Sequence, residues 1–281
     1  MKTLVVYCYK EEYDTITNLA FFLKHGVVHS RNYHYVFLIN NKICSLDIEE
    51  TSSIRVFKRS QNEYDLPSYK WFIETMIKES PEYFDQFGTF YFLNSSCIGP
   101  FLPTITESNW IELFNKKLEK YDLIAPIVEF PPDSYGFTLL GISSNLNVPF
   151  LHSYMFGTNA SSFNLLKNLL LGINTVDQST IINCERKLTS EYLIHGKKIH
   201  SLLIAFNNID INDKSLWNYK LWNKNTVTCY EVPENYFGID INPLEVVFIK
   251  NIRKVHSFRN MHVSGISRYL YTTLMNYITW Y

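Results

Sequence analysis

The stretch FYFLNSSCIGPFLP, Phe90 to Pro103, decides how this chain is read. It begins as an apolar strand and closes on a turn stiffened by Pro100 and Pro103, with Gly99 free to take unusual backbone angles. At the join stand three small polar residues, Asn94, Ser95 and Ser96. Two readings are open. Asn and Ser bond their own backbone readily, so the cluster can be a plain turn. In an open α/β sheet, however, the carboxyl ends of the strands border the ligand crevice. A polar cluster ending a buried strand would then be part of a binding site.

The flanking sequence favours such a sheet. Strand patterns are expected at Thr3–Tyr9, Tyr33–Asn40, Ser53–Ser60, Thr89–Leu93, 122–130 (DLIAPIVEF), Phe150–Asn159 and 197–206 (KKIHSLLIAF). Helical patterns fall between them. One follows Asp14 or Thr15 as cap and ends at Gly26. One spans 66–80 with Trp71 and Phe72 inward, and one spans Asn109–Tyr121 after Ser108. Two more are expected, one capped by Ser161 and one ending at Gly196. This alternation predicts an α/β fold with a mostly parallel sheet flanked by helices.

Composition narrows the function classes. The 281 residues are 46% hydrophobic and 16% aromatic, enough for a substantial core. Net charge is −1, so no basic surplus points to nucleic acid. The five cysteines are scattered, without CxxC spacing, and read as reduced thiols in a cytosolic setting. The opening MKTLVVYCYKEEYD turns charged too soon for a signal core, and no apolar run reaches the roughly 18 residues of a membrane span. The expected compartment is the cytoplasm.

Several segments, in order, resemble one family: GT-A type glycosyltransferases of large DNA viruses of algae and protists, with relatives among bacterial rhamnan-synthesis proteins. NLAFFLKHG (Asn18–Gly26) is similar to the family's N-L-x-F-F-L-x-x-G. VFKRSQNEYDLPSY (Val56–Tyr69) stands where the family has an Arg, then N-x-G-x-D and an aromatic. FYFLNSSCIGPFLP is close to its F-x-N-S-S-x-x-G-P-F-L-P. LHSYMFGTN through IINCERKLTSEYLIHGKKI follows its strand and Glu-bearing helix, and Ile241–Arg253 resembles its closing P-x-E-x-x-F-x-K-x-x-R. Glu63 and Pro67 replace family glycines, and His152 stands where Gln is common. The resemblance covers residues 3 to 253, giving a GT-A (Rossmann-like) domain over 1–255 and a separate tail over 256–281.

The resemblance implies transfer of a sugar from a nucleotide-sugar to a hydroxyl of a growing glycan, polysaccharide or glycoprotein, with an inverting outcome. Asn62 and Asp65 would contact the nucleotide, with Arg59 lining the same pocket. Asn94, Ser95 and Ser96 would lie beneath the diphosphate. Most such enzymes carry Asp-x-Asp there for Mn²⁺ or Mg²⁺. Here Asn94 and Ser96 offer only neutral oxygens, so the metal would be weakly held or replaced by Lys250 and Arg253. Glu185 is the candidate general base, with His152 sharing the proton work or binding the acceptor. Trp71, Tyr64 and Tyr154 are aromatics able to stack on a sugar or base. In the tail, Leu270, Leu274, Tyr277 and Tyr281 share one side of a helical pattern. That helix would dock on its own domain, dimerise, or rest on a membrane. The alternative is a glycan- or nucleotide-sugar-binding module that keeps the fold without the chemistry. A methyltransferase on a Rossmann sheet would need a Gly-rich loop after the first strand, which YCYKEEYDT lacks.

Overall fold

In the computed structural model, the described residues are 2–61, 63–103, 105–129, 148–173, 178–217 and 241–250, without the side chains of 13, 14, 178–185 and 216. Asn62, Arg253, the 256–281 tail and the Glu185 side chain lie outside them.

The chain begins with β1 (Lys2–Lys10), whose residues 3–9 are all buried. Such a run suits a central strand covered on both faces. Next come α1 (Tyr13–Phe21), β2 (Tyr33–Asn40), β3 (Ile54–Lys58), α2 (Asp65–Glu79) and β4 (Phe87–Asn94). Two-residue β5 (Cys97–Ile98) follows, then α3 (Trp110–Leu118), capped by Asn109 rather than Ser108. The stretch 122–130 divides into β6 (Leu123–Ala125) and β7 (Val128–Glu129). Pro126, without an N–H for the ladder, breaks it.

Phe150–Asn159 is likewise two strands, β8 (Phe150–Leu151) and β9 (Met155–Asn159), in different sheets. β8 pairs with β7 while β9 runs antiparallel to β4, so the chain turns at His152–Tyr154. α4 (Ala160–Leu171) is capped by Asn159, whose side chain accepts from Ser162 N–H. α5 (Gln178–Ile194) leads to β10 (Ile199–Ser201), where the expected ten-residue strand stops after three. Short α6 (Pro243–Val246) and β11 (Ile249–Lys250) end the described chain.

The main sheet has the order β10-β6-β9-β4-β1-β2-β3. It is parallel except for β9, antiparallel to both β4 and β6. The expected α/β class and mostly parallel sheet are therefore observed. From β1 the chain winds outward through β2 and β3, then returns to β4 on the other side of β1. That reversal is a topological switch point, the place where open α/β sheets hold ligands.

Strand pleating sorts the aromatics between the two faces. Phe90 stacks on Phe163 of α4, and Phe92 meets Tyr69 of α2. Tyr91, between them, faces Trp110 and Phe114 of α3. Gly157, opposite Tyr91 in β9, leaves room for that ring; a Cβ there would come within 2.4 Å of it. Each buried aromatic removes about 150–250 Å² from water. These two layers fix the strand ends, and with them the switch point.

Candidate functional site

The carboxyl ends of β1 and β4 lie side by side, Cys8 opposite Asn94. Ser95 locks the corner from beneath. Its N–H donates to Cys8 O (2.9 Å), its hydroxyl accepts from Lys10 N–H (3.3 Å), and its carbonyl accepts from Asn18 Nδ2 (2.9 Å). It is buried and serves as a brace between β1, α1 and the corner.

Asn94 and Ser96 are partly open. Asn94 Nδ2 donates to Asp65 Oδ2 at 2.5 Å. Asn94 Oδ1 accepts the Ser96 N–H at 3.0 Å and the Ser96 hydroxyl as well. Both readings of the cluster thus hold together: it is a self-bonded turn, and it grips the carboxylate expected to meet the nucleotide. Asp65 stands in the first turn of α2, where the helix dipole favours negative charge.

The groups around Asp65 stay neutral. Burial lifts the Cys8 thiol to about 12, and the Asp65 carboxylate pushes the same way. Burial, followed by that same charge, also holds the Tyr69 phenol well above its usual range. Tyr69 donates to Leu93 O at 2.7 Å.

Arg59 is 4% exposed, not turned to an open pocket. Its guanidinium lies 4.5 Å above the Trp71 ring and bonds Glu63 (2.7 Å), Gln61 (3.2 Å) and Asn40 (3.3 Å). Asn40, fully buried at the end of β2, donates in turn to Glu63 O and to the Ser68 hydroxyl, each at 3.0 Å. This network pins the approach to α2 and aims Asp65. Arg59 is thus a support of the corner, and it occupies the Trp71 face expected to be free for stacking. Tyr154 is buried, with its hydroxyl on Phe248 O at 3.2 Å. Of the three aromatics, Tyr64, beside Asp65, is the exposed one, at 47%.

Two further segments reach this edge. Antiparallel β11 lays Lys250 opposite Cys97, next to the corner. Burial raises the Cys97 thiol to about 12, and the nearby Lys250 charge opposes that rise. Gly99 makes the approach possible. Its φ is +148°, and a Cβ there would meet Val247 O at 2.5 Å and Phe248 Cδ1 at 2.6 Å.

On the other side, the N–H of Asn94 donates to Tyr154 O at 3.0 Å, tying the corner to the His152–Tyr154 turn. His152 Nε2 lies 2.8 Å from Glu129 Oε1. α5 is stitched to this turn by Leu151 N–H, which donates to Thr189 Oγ1 at 3.0 Å. Glu185 lies one helical turn before Thr189.

The structure thus brings Asp65, Asn94, Ser95, Ser96, Lys250 and His152 to one edge, together with the backbone that carries Glu185. Sequence reasoning passed over Asn40, Ser68 and Glu129. Glu129 was hidden inside an apolar run expected to be one strand; the signal available was a lone acid just past Pro126. The resemblance also implies Mn²⁺ or Mg²⁺ at Asn94 and Ser96. As arranged, Asn94 Oδ1 is taken up by Ser96 and offers an ion no open lone pair, so no step below runs through a metal.

In comparison with known proteins, no family model matches the chain and no curated protein matches it in sequence. Among the described residues, no helix is long and apolar enough to cross a membrane.

Proposed function

We propose that the protein transfers a sugar from a nucleotide-sugar donor to a hydroxyl of a growing glycan. One observation carries this reading: Asp65 and Asn94, from the start of α2 and the end of β4, meet at the sheet's switch point. A carboxylate there accepts hydrogen bonds from ribose hydroxyls or a base N–H, and exposed Tyr64 beside it offers a stacking face.

The diphosphate lies over the Asn94–Ser96 turn, and Lys250 neutralises charge as it leaves. The acceptor hydroxyl gives up its proton to Glu185 or His152 while its oxygen attacks the anomeric carbon. A single displacement of this kind inverts the anomeric centre. A panel of UDP-, GDP- and dTDP-sugars, with and without Mn²⁺, tests the reading. Slow hydrolysis of one donor is expected, reduced in Glu185→Gln. Hydrolysis of none overturns it.

The second reading, a nucleotide-sugar- or glycan-binding module, draws on the Asn94 side chain, whose Oδ1 is taken up within the turn and whose Nδ2 already donates to Asp65. Saturable nucleotide-sugar binding without turnover would select it.

A further inference from the structure

We propose that Glu129 is a positioning residue for His152, and that the pair takes the acceptor proton in the sugar transfer. The inference rests on the transfer reading above and adds a residue and a division of labour to it.

The two side chains reach each other from separate strands. β7 brings Glu129, and the turn after β8 brings His152; Glu129 pairs with Phe150, two residues before His152. Their side chains are 9% and 10% exposed. Taking a carboxylate out of water is costly unless a partner compensates. A packing role alone would be met by apolar residues of similar size. Instead an ionisable pair is set at the carboxyl edge of the sheet, one turn of chain from the corner that binds Asp65.

The surroundings suit proton transfer. Phe150 and Tyr154 flank the imidazole with ring centroids 5.0 and 6.0 Å away. Among the described residues, the titratable groups facing it are Glu129 from β7 and Tyr154 from the turn itself; burial, then Cys97 and Glu129, hold the Tyr154 phenol well above its usual range. α5 approaches through Thr189, with Glu185 on that helix.

The step balances as follows. The acceptor O–H bond breaks and its proton passes to the His152 imidazole. The oxygen's electron pair forms the new bond to the anomeric carbon. The bond from that carbon to the nucleoside diphosphate breaks, and its electron pair leaves with the phosphate. Glu129 keeps its negative charge and stabilises the imidazolium, as a buried carboxylate does behind a catalytic histidine.

Glu129→Gln, His152→Gln and the double variant, assayed with the donor that the wild type hydrolyses, test the proposal. General base catalysis is typically worth about 10²–10⁴-fold. A loss of at least about 10²-fold in kcat is expected in His152→Gln, and a smaller loss in Glu129→Gln, with donor KM unchanged in both. The double variant should be no worse than His152→Gln. A purely structural role would not lower kcat while leaving donor KM unchanged. Glu129→Asp, which restores the charge, should recover part of the rate, and this separates loss of function from misfolding. Wild-type-like turnover in Glu129→Gln, or a double variant clearly worse than His152→Gln, overturns the proposal and leaves the transfer reading intact. A wild type that hydrolyses no donor overturns both.

Discussion

Asn94 and Asp65 are joined across the switch point, the Asn94 amide donating to Asp65 Oδ2 at 2.5 Å. This single contact couples the end of the central strand to the start of α2. It fixes where a bound nucleotide would find its carboxylate.

Asn94→Asp tests that coupling. Two carboxylates would stand in contact, so one of them must hold a proton or the pair must part. The variant should melt below the wild type at pH 8 and close the gap toward pH 5. Added Mn²⁺ should raise its Tm more than that of the wild type, since paired carboxylates form a divalent-ion site. Equal melting at both pH values would show that Asp65 is not held by Asn94.

Arg59→Lys should destabilise the fold while the donor site remains saturable. Lysine lacks the planar fork that bonds Glu63, Gln61 and Asn40 at once, and it stacks less well on Trp71. A hydrogen bond to a charged group is worth about 1.5–3 kcal/mol, an upper figure here because lysine keeps the charge and Glu63 is 22% exposed. Denaturant unfolding reads the loss. An unchanged midpoint with abolished nucleotide binding would make Arg59 a ligand contact after all.

Gly99→Ala should loosen the 241–250 segment. The added methyl meets Val247 O and Phe248, and a φ of +148° strains any residue with a Cβ. Overpacking of this kind costs about 1–3 kcal/mol. Turnover should fall together with that of Lys250→Gln, whose fold should stay near wild type. A fully active Gly99→Ala would remove Lys250 from the proposed chemistry.

His200 should make the fold acid-sensitive. It is buried against the Tyr121 ring at 4.2 Å, and neither ring nitrogen has a hydrogen-bond partner among the described residues. Burial, followed by the Lys117 charge, lowers its pKa from 6.5 to about 4. The folded state therefore prefers the neutral ring. Its contribution is complete above the unfolded pKa and is lost as pH falls from about 6.5 to 4, up to about 3 kcal/mol. His200→Phe should flatten that part of the stability profile. A parallel decline in the variant would place the sensitivity elsewhere.

Much of the frame was legible in the residues. Long buried strands such as Tyr33–Asn40 announce themselves by unbroken apolar runs, and β2 has those bounds. The misreadings share one cause. In 122–130 and in Phe150–Asn159, apolar character continues straight through a change of sheet. Hydrophobicity records burial, not which neighbour does the burying. For that reason Glu129 and His152, on opposite sides of a long sequence gap, gave no sign of meeting. Arg59 erred the other way: a basic residue near a site was expected to face the ligand, yet three acceptors and a ring had already enclosed it.

The pairing of β11 with β5 also carries a kinetic consequence. Cys97 meets Lys250 only after some 150 intervening residues have been made and placed. Contacts so distant along the chain close late, because loop entropy must be overcome first. During synthesis the strands around β1 can assemble while β11 and its Lys250 are still missing. The nascent chain would then reach a folded body before it reaches a competent one.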